Sequence, residues 1–206
     1  MVFAIDQEKA SKLLSSGNHA LILLNADEAH FSRIFGKLEF ITAARVILKY
    51  CREKPVPLLM ANMGNNPKVE DSQTLFMESR RKVRQSRATS ILGSNEKLFI
   101  EYRSVLRAFS ESNPIEVSRE NAISDHRVRE FIEEHKAERI FVLGFDTDVE
   151  VLLTVSGVIS SGLMPIVVSD AVSSPSERLH FNALELMAGF AEVVDSREIS
   201  LHLFGE

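Results

Sequence analysis

At 206 residues the chain has room for one domain with a sizeable core. Its 45% hydrophobic and 26% charged residues suit a globular protein, and a net charge of −5 gives no general attraction to nucleic acid or anionic membrane. One cysteine excludes an internal disulfide framework. Asp6, Glu8 and Lys9 interrupt any leader, and no apolar run approaches the roughly 20 residues of a membrane span, so a cytoplasmic protein is expected.

The predicted elements alternate. Ile5 to Ser16 reads as a short helix with Asp6 as its cap. His19 to Leu24, HALILL, is an apolar run suited to a central strand, and it ends at Asn25-Ala26-Asp27-Glu28. A long amphipathic helix is expected over about Phe31 to Lys54, stopped by Pro55 and Pro57. The second strand runs from Val56 to Met60 and on toward Met63, before a Gly64-Asn65-Asn66-Pro67 turn. The stretch of about 68–112 is the least regular and reads as an irregular helical insert, with a helix over Asn95 to Phe109. Its basic run, Arg80 to Arg87, has no interleaved aromatic and lies beside Glu78, which fits a solvated face better than a phosphate or RNA site.

Pro114 to Val117 is a short third strand, and Asp125 to Lys136 a helix. Ile140 to Leu143 is the fourth strand. Gly144 breaks it, and a helix follows from about Asp148 to Ser161, capped by Gly162. Met164 to Val168 is the fifth strand and ends at Ser169-Asp170. A helix from Ser176 to about Phe190, a short strand from Glu192 to Val194 and a terminal helix or turn over Ser196 to Leu203 complete the chain. This alternation predicts one α/β domain, a three-layer α/β/α sandwich around a six-stranded, mostly parallel sheet.

In such a sheet the residues just beyond the strands gather along one edge, where ligands bind. They are Asn25, Asp27 and Glu28 after strand one, Asn65 and Asn66 after strand two, and Arg119 and Glu120 after strand three. Asp146, Thr147, Asp148 and Glu150 follow strand four, and Asp170 and Ser173 strand five. Most of these types also serve as helix caps and turn formers. Glu150 stands out, because its helix is otherwise built of Val149, Val151, Leu152 and Leu153.

Gly144-Phe145-Asp146-Thr147-Asp148-Val149-Glu150-Val151 resembles the nucleophile segment of the isochorismatase-like, or cysteine hydrolase, superfamily, which typically reads G-V-x-T-D-x-C-V. Val167-Val168-Ser169-Asp170-Ala171 resembles the family's V-V-x-D-A, and Ala20 to Phe31 its first-strand motif A-L-L-x-I-D-x-Q-x-D-F. The likeness runs in order over about Ala20 to Asp195, the middle insert apart. It implies the three-layer fold, a homodimer or higher homo-oligomer, and a cis peptide before the motif's Thr, here Asp146–Thr147.

Family enzymes use an Asp, a Lys and a Cys, the thiolate attacking a carbonyl or nitrile carbon. The resemblance puts Glu150 at the Cys position and Asn25 at the Asp position. An amide has no proton to exchange in the useful range, so Asn25 cannot act as the base. The Lys would fall near Val117 to Arg119, where none occurs; Arg119 stays protonated and could bind an anion. Cys51 lies near the end of the long first helix and does not replace the nucleophile. The branch that hydrolyses vinyl ethers without a Cys keeps the Asp and is not matched either. The nicotinamidase-like metal site is unsupported, since Met60 to Pro67 has no His or Asp, and there is no glycine-rich phosphate loop. No cofactor is expected.

The candidate site is therefore Glu150, Asn25 and Arg119 at the family's catalytic positions, with Asp146, Thr147, Phe31 and Asn65 as substrate-binding candidates. Three readings stay open. The chain is a non-catalytic protein that binds a small molecule or a partner; or an active hydrolase using Glu150 as acid or base and Arg119 for an anionic substrate; or an oligomeric scaffold with a vestigial pocket.

Overall fold

The computed structural model describes residues 17–64, 72–87, 96–109 and 114–204. The helix expected at Ile5 to Ser16, and Asn65 and Asn66, lie outside them.

Six strands form one sheet: β1 (His19–Leu24), β2 (Leu58–Met63), β3 (Ile115–Val117), β4 (Arg139–Phe145), β5 (Met164–Ser173) and β6 (Glu192–Val194). Their order is β3-β2-β1-β4-β5-β6, and all five pairings are parallel. The chain winds outward from β1 to one edge, then returns beside β1 to start β4. The reversal lies between β1 and β4, the place where a doubly wound sheet opens a crevice at its carboxyl ends.

Strand alternation builds two cores. Leu21 and Leu23 of β1 face one side with Phe141 and Leu143 of β4, while Ala20, Ile22 and Leu24 face the other with Ile140 and Val142. The first side is covered by α1 (Glu28–Arg33), α2 (Lys37–Glu53), α4 (Glu96–Phe109) and α8 (Ser196–Phe204). The second is covered by α5 (His126–Glu134), α6 (Leu152–Ser160) and α7 (Glu177–Met187). Because both faces are covered, β1 is apolar along nearly its whole length.

The long first helix is two helices. Arg33 ends α1, Ile34 is extended, and Gly36 takes a left-handed φ of 61° as the N-cap of α2. The break is docked: the Phe35 N–H donates to Ser174 O, and Ser173 Oγ donates to Phe35 O. Hydrophobic periodicity continues through Phe35, so the break is set by a tertiary contact with the end of β5 that spacing does not report. In the stretch read as an insert, the helices α3 (Ser72–Arg87) and α4 are regular. Tyr102, Val105 and Phe109 of α4 belong to the first core. β5 runs five residues past its expected end to Ser173, pairing Gly144 with Val172 and Phe145 with Ser173 across a register shift.

Gly144 is required where it stands. Its φ is +108°, and a Cβ there would lie 2.0 Å from Leu24 O and 2.7 Å from Leu24 N. Only glycine lets β4 pass this close to the end of β1.

Candidate functional site

The last residue of β1 hands the chain to Asn25, which is fully buried and takes a left-handed φ of 49°. Asparagine tolerates this conformation better than most residues. It turns the side chain back along the sheet edge. Asn25 Nδ2 donates to Phe145 O at 2.9 Å, and Asn25 Oδ1 accepts from the Met63 N–H at 2.7 Å. Its own N–H donates to Ala61 O at 3.0 Å. One amide thus ties the carboxyl ends of β1, β2 and β4 together.

The same peptide unit is engaged from its other end. Phe145–Asp146 is a cis peptide, one residue earlier than the Asp146–Thr147 bond expected. Its carbonyl receives Asn25 Nδ2, and its N–H, on Asp146, faces Glu150 Oε2 at 3.4 Å. Glu150 is 1% exposed. It lies on a π-type turn, Thr147–Val151, that leads into α6. The structure therefore brings Asn25 and Glu150 to opposite ends of one peptide bond, as expected if strands one and four are neighbours.

The other predicted residues take different places. Asp146 and Thr147 are buried beside Glu150. Phe31 is fully buried in the first core, stacked on Tyr102 at a centroid distance of 3.8 Å and edge-on to Phe99. Arg119 follows β3 by two residues, at the sheet's edge strand, and is partly exposed. Several acidic residues named along the edge are engaged elsewhere. Asp27 caps α1 through the His30 N–H at 2.8 Å and pairs with the His30 ring, and those bonds hold its carboxyl below the usual range against the opposing effect of burial. Glu28 pairs with Arg103 on the surface. Asp170 caps α8 through Ser196, while burial raises its pKa.

His180 is a site residue that no sequence motif marks. This residue is 4% exposed, and its Nδ1 lies 2.9 Å from Thr147 Oγ1, the first residue of the turn that carries Glu150. Phe35 meets its ring edge-on at 4.9 Å. Desolvation pushes its pKa down to about 4, so the ring is neutral at pH 7. The signal that could have found it is its spacing: His180 shares the inward face of α7 with Ala183, Leu184 and Met187.

Among the described residues, no group of three or more His, Cys, Asp or Glu is gathered to hold a metal ion, and no helix is long and apolar enough to cross a membrane. The isochorismatase-domain family model matches residues 20–198, nearly the whole described sheet and its helices. The chain belongs to the isochorismatase family. Solved structures of the same fold agree, at identities that speak to fold alone. A cysteine hydrolase from Pseudomonas syringae is 12% identical, with TM-score 0.67, over 90% of this chain and 92% of that one. The MAR1 ribonuclease of Caenorhabditis elegans is 21% identical, with TM-score 0.65, over 92% and 83%. The YcaC gene product of Escherichia coli, described as an octameric hydrolase of unknown specificity, is 12% identical, with TM-score 0.64, over 100% and 84%. Comparison with curated proteins gave no match.

Proposed function

We propose that this isochorismatase-family protein does not perform the family's thiol hydrolysis. It binds a small molecule or a protein partner at the β1–β4 edge, and it self-associates, as the E. coli neighbour does. The observation that carries the reading is the Asn25 amide. At the position the motif gives to the acidic residue, both side-chain polar atoms are bonded to backbone, one as donor and one as acceptor. A carboxylate cannot donate to Phe145 O, so this bonding pattern selects an amide and removes the proton acceptor. At the position of the nucleophile, Glu150 faces a backbone N–H.

The purified chain is expected to turn over nicotinamide, isochorismate and a panel of amides no faster than its Glu150→Ala variant. Turnover that Glu150→Ala abolishes would overturn the reading. It would support the second one, in which Glu150 is an acid or base and Arg119 receives an anionic substrate. The point in favour of that second reading is the burial of a carboxylate at a helix start, beside Asp146, on the edge where the family does its chemistry.

A further inference from the structure

The outer face of α6 is unlike that of any other described helix of eight residues or more: α6 contains no charged residue. Its exposed positions are Leu153, Ser156, Ile159 and Ser160. They fall within about a third of the helix circumference at 100° per residue, opposite Val151, Val155 and Val158, which enter the second core. By contrast, the exposed positions of α5 include Arg127, Arg129, Glu130, Glu133 and Glu134. Beside the helix, Ile159 and Phe190 line one groove of about 560 Å³ at the amino edge of the sheet with Leu163, Met164 and Pro165, and Glu138, Arg139 and Glu192 bring charge to it, so the uncharged face is that of α6 itself. Leu186, 57% exposed, stands one turn before Phe190.

Two hydroxyls at the carboxyl end of α6 are already bonded. Ser160 Oγ donates to Ser156 O at 2.8 Å, and Ser161 Oγ donates to Gly157 O at 2.9 Å. Covering these two would strand no donor. Leu153, Ile159, Leu186 and Phe190 are 38%, 42%, 57% and 38% exposed. Side chains of this size expose on the order of 150–200 Å² when free, so the four leave roughly 300 Å² of apolar surface. A standard interface takes about 800 Å² per partner, with about 60% of it apolar. The patch supplies most of that apolar share.

We propose that this face, centred on Ser156 and Ile159 of α6 and extended by Leu186 and Phe190, is where a second copy of this chain docks about a twofold axis. This rests on the self-association proposed above and names its surface. Charge selects the occupant. At a twofold axis each residue near the centre approaches its own copy, so a charged face there sets like against like. In a chain of net charge −5, a helix face free of charge meets its own copy without that penalty. The small serines let two α6 helices approach closely, with Leu153 and Ile159 as the flanking ridges.

The test is the mass of the full-length chain in solution, by light scattering after size exclusion, for the wild type and for Ser156→Arg and Leu38→Glu. Leu38 lies on α2, on the opposite layer, and is 56% exposed. The wild type is expected to be a dimer or larger. Ser156→Arg should lower its mass at least twofold at the same concentration, with an unchanged circular dichroism spectrum, and Leu38→Glu should leave the mass as it is. Cys51→Ser with Ser156→Cys checks the same geometry without disturbing the fold, because mild oxidation should give a covalent dimer. An oligomeric wild type whose mass survives Ser156→Arg and whose Ser156→Cys form does not cross-link would overturn this surface alone. So would dissociation by Leu38→Glu in place of Ser156→Arg. A wild type monomeric at every concentration would overturn self-association as well.

Discussion

Asn25→Asp introduces the residue type that the family motif carries, and the bonds around Asn25 predict that it weakens the protein. The substitution keeps the acceptor that receives the Met63 N–H at 2.7 Å but replaces the donor that meets Phe145 O at 2.9 Å. As a carboxylate, the new oxygen faces a carbonyl oxygen at hydrogen-bond distance in a fully buried site. The lost bond leaves Phe145 O without this donor, at about 1–3 kcal/mol, and desolvation of the charge adds to it. As a neutral acid, the side chain can donate to Phe145 O and act like the amide. The introduced carboxyl is therefore held above the pKa of roughly 3.9 that it has in the unfolded chain. The sign follows: the folded state holds the proton longer, so the penalty is absent below about pH 4, grows as pH rises toward the folded pKa, and is constant above it. Each tenfold gain in proton affinity costs about 1.4 kcal/mol at pH 7, so a folded pKa near ~6 gives a penalty of roughly 3 kcal/mol. Urea unfolding of wild type and variant at pH 4 and pH 7 reads this difference, and an amide panel reads activity. A variant as stable as wild type at pH 7, or one that gains hydrolysis, would refute the clasp.

Three further outcomes follow from buried groups and close contacts. His180, its pKa depressed to about 4 against about 6.5 unfolded, contributes stability that is complete above pH 6.5 and is lost as pH falls to about 4. The loss should be about 3 kcal/mol over that interval, and His180→Gln, which can still bond Thr147, should flatten the urea-derived stability profile there; an unchanged slope would refute the assignment. Gly144→Ala must push the Leu24 backbone away from a Cβ 2.0 Å from its carbonyl, so the β1–β4 pairing is lost and soluble yield collapses; a folded variant with an unchanged melting temperature would contradict the close approach. Burial pushes the Cys51 thiol up to about 12, so alkylation by iodoacetamide at pH 8 should be much slower than for a free thiol, and labelling at the free rate would show Cys51 accessible.

The sheet was legible because both of its faces are buried: HALILL and IFVLGF can be little else than central strands. Two motifs that had to be neighbours for the family likeness to hold are neighbours, β1 against β4. What escaped depends on contacts distant in the chain. The break between α1 and α2 is fixed by Phe35 on the end of β5, 138 residues away. The burial of His180 follows from which face of α7 meets the β4–α6 turn. Asn25 is recognisable in sequence as an amide where the motif carries an acid, but its role as a clasp requires the strand order, because its two partners lie on β2 and at the end of β4. Phe31 is a binding candidate in sequence because it follows the first-strand motif; α4, in the stretch that reads as an irregular insert, supplies the Tyr102 and Phe99 rings that bury it.

Asn25 and Glu150, which the motif likeness sets at the family's catalytic positions, have a joint explanation that neither has alone. If Glu150 had replaced a thiol through drift, nothing would tie it to Asn25. Instead the two meet one peptide bond, Asn25 giving a hydrogen to the carbonyl and Glu150 facing the N–H with an oxygen. Each supplies the polarity its end of the bond needs. A buried peptide with both ends engaged is stable in place, and that peptide is the one a nucleophile at residue 150 would have beside it. Asn25 and Glu150 both serve the backbone, and the contact between Thr147 and His180 carries buried polar groups on into α7. A site organised around its own main chain holds its shape without a substrate, which is what the binding surface proposed above needs.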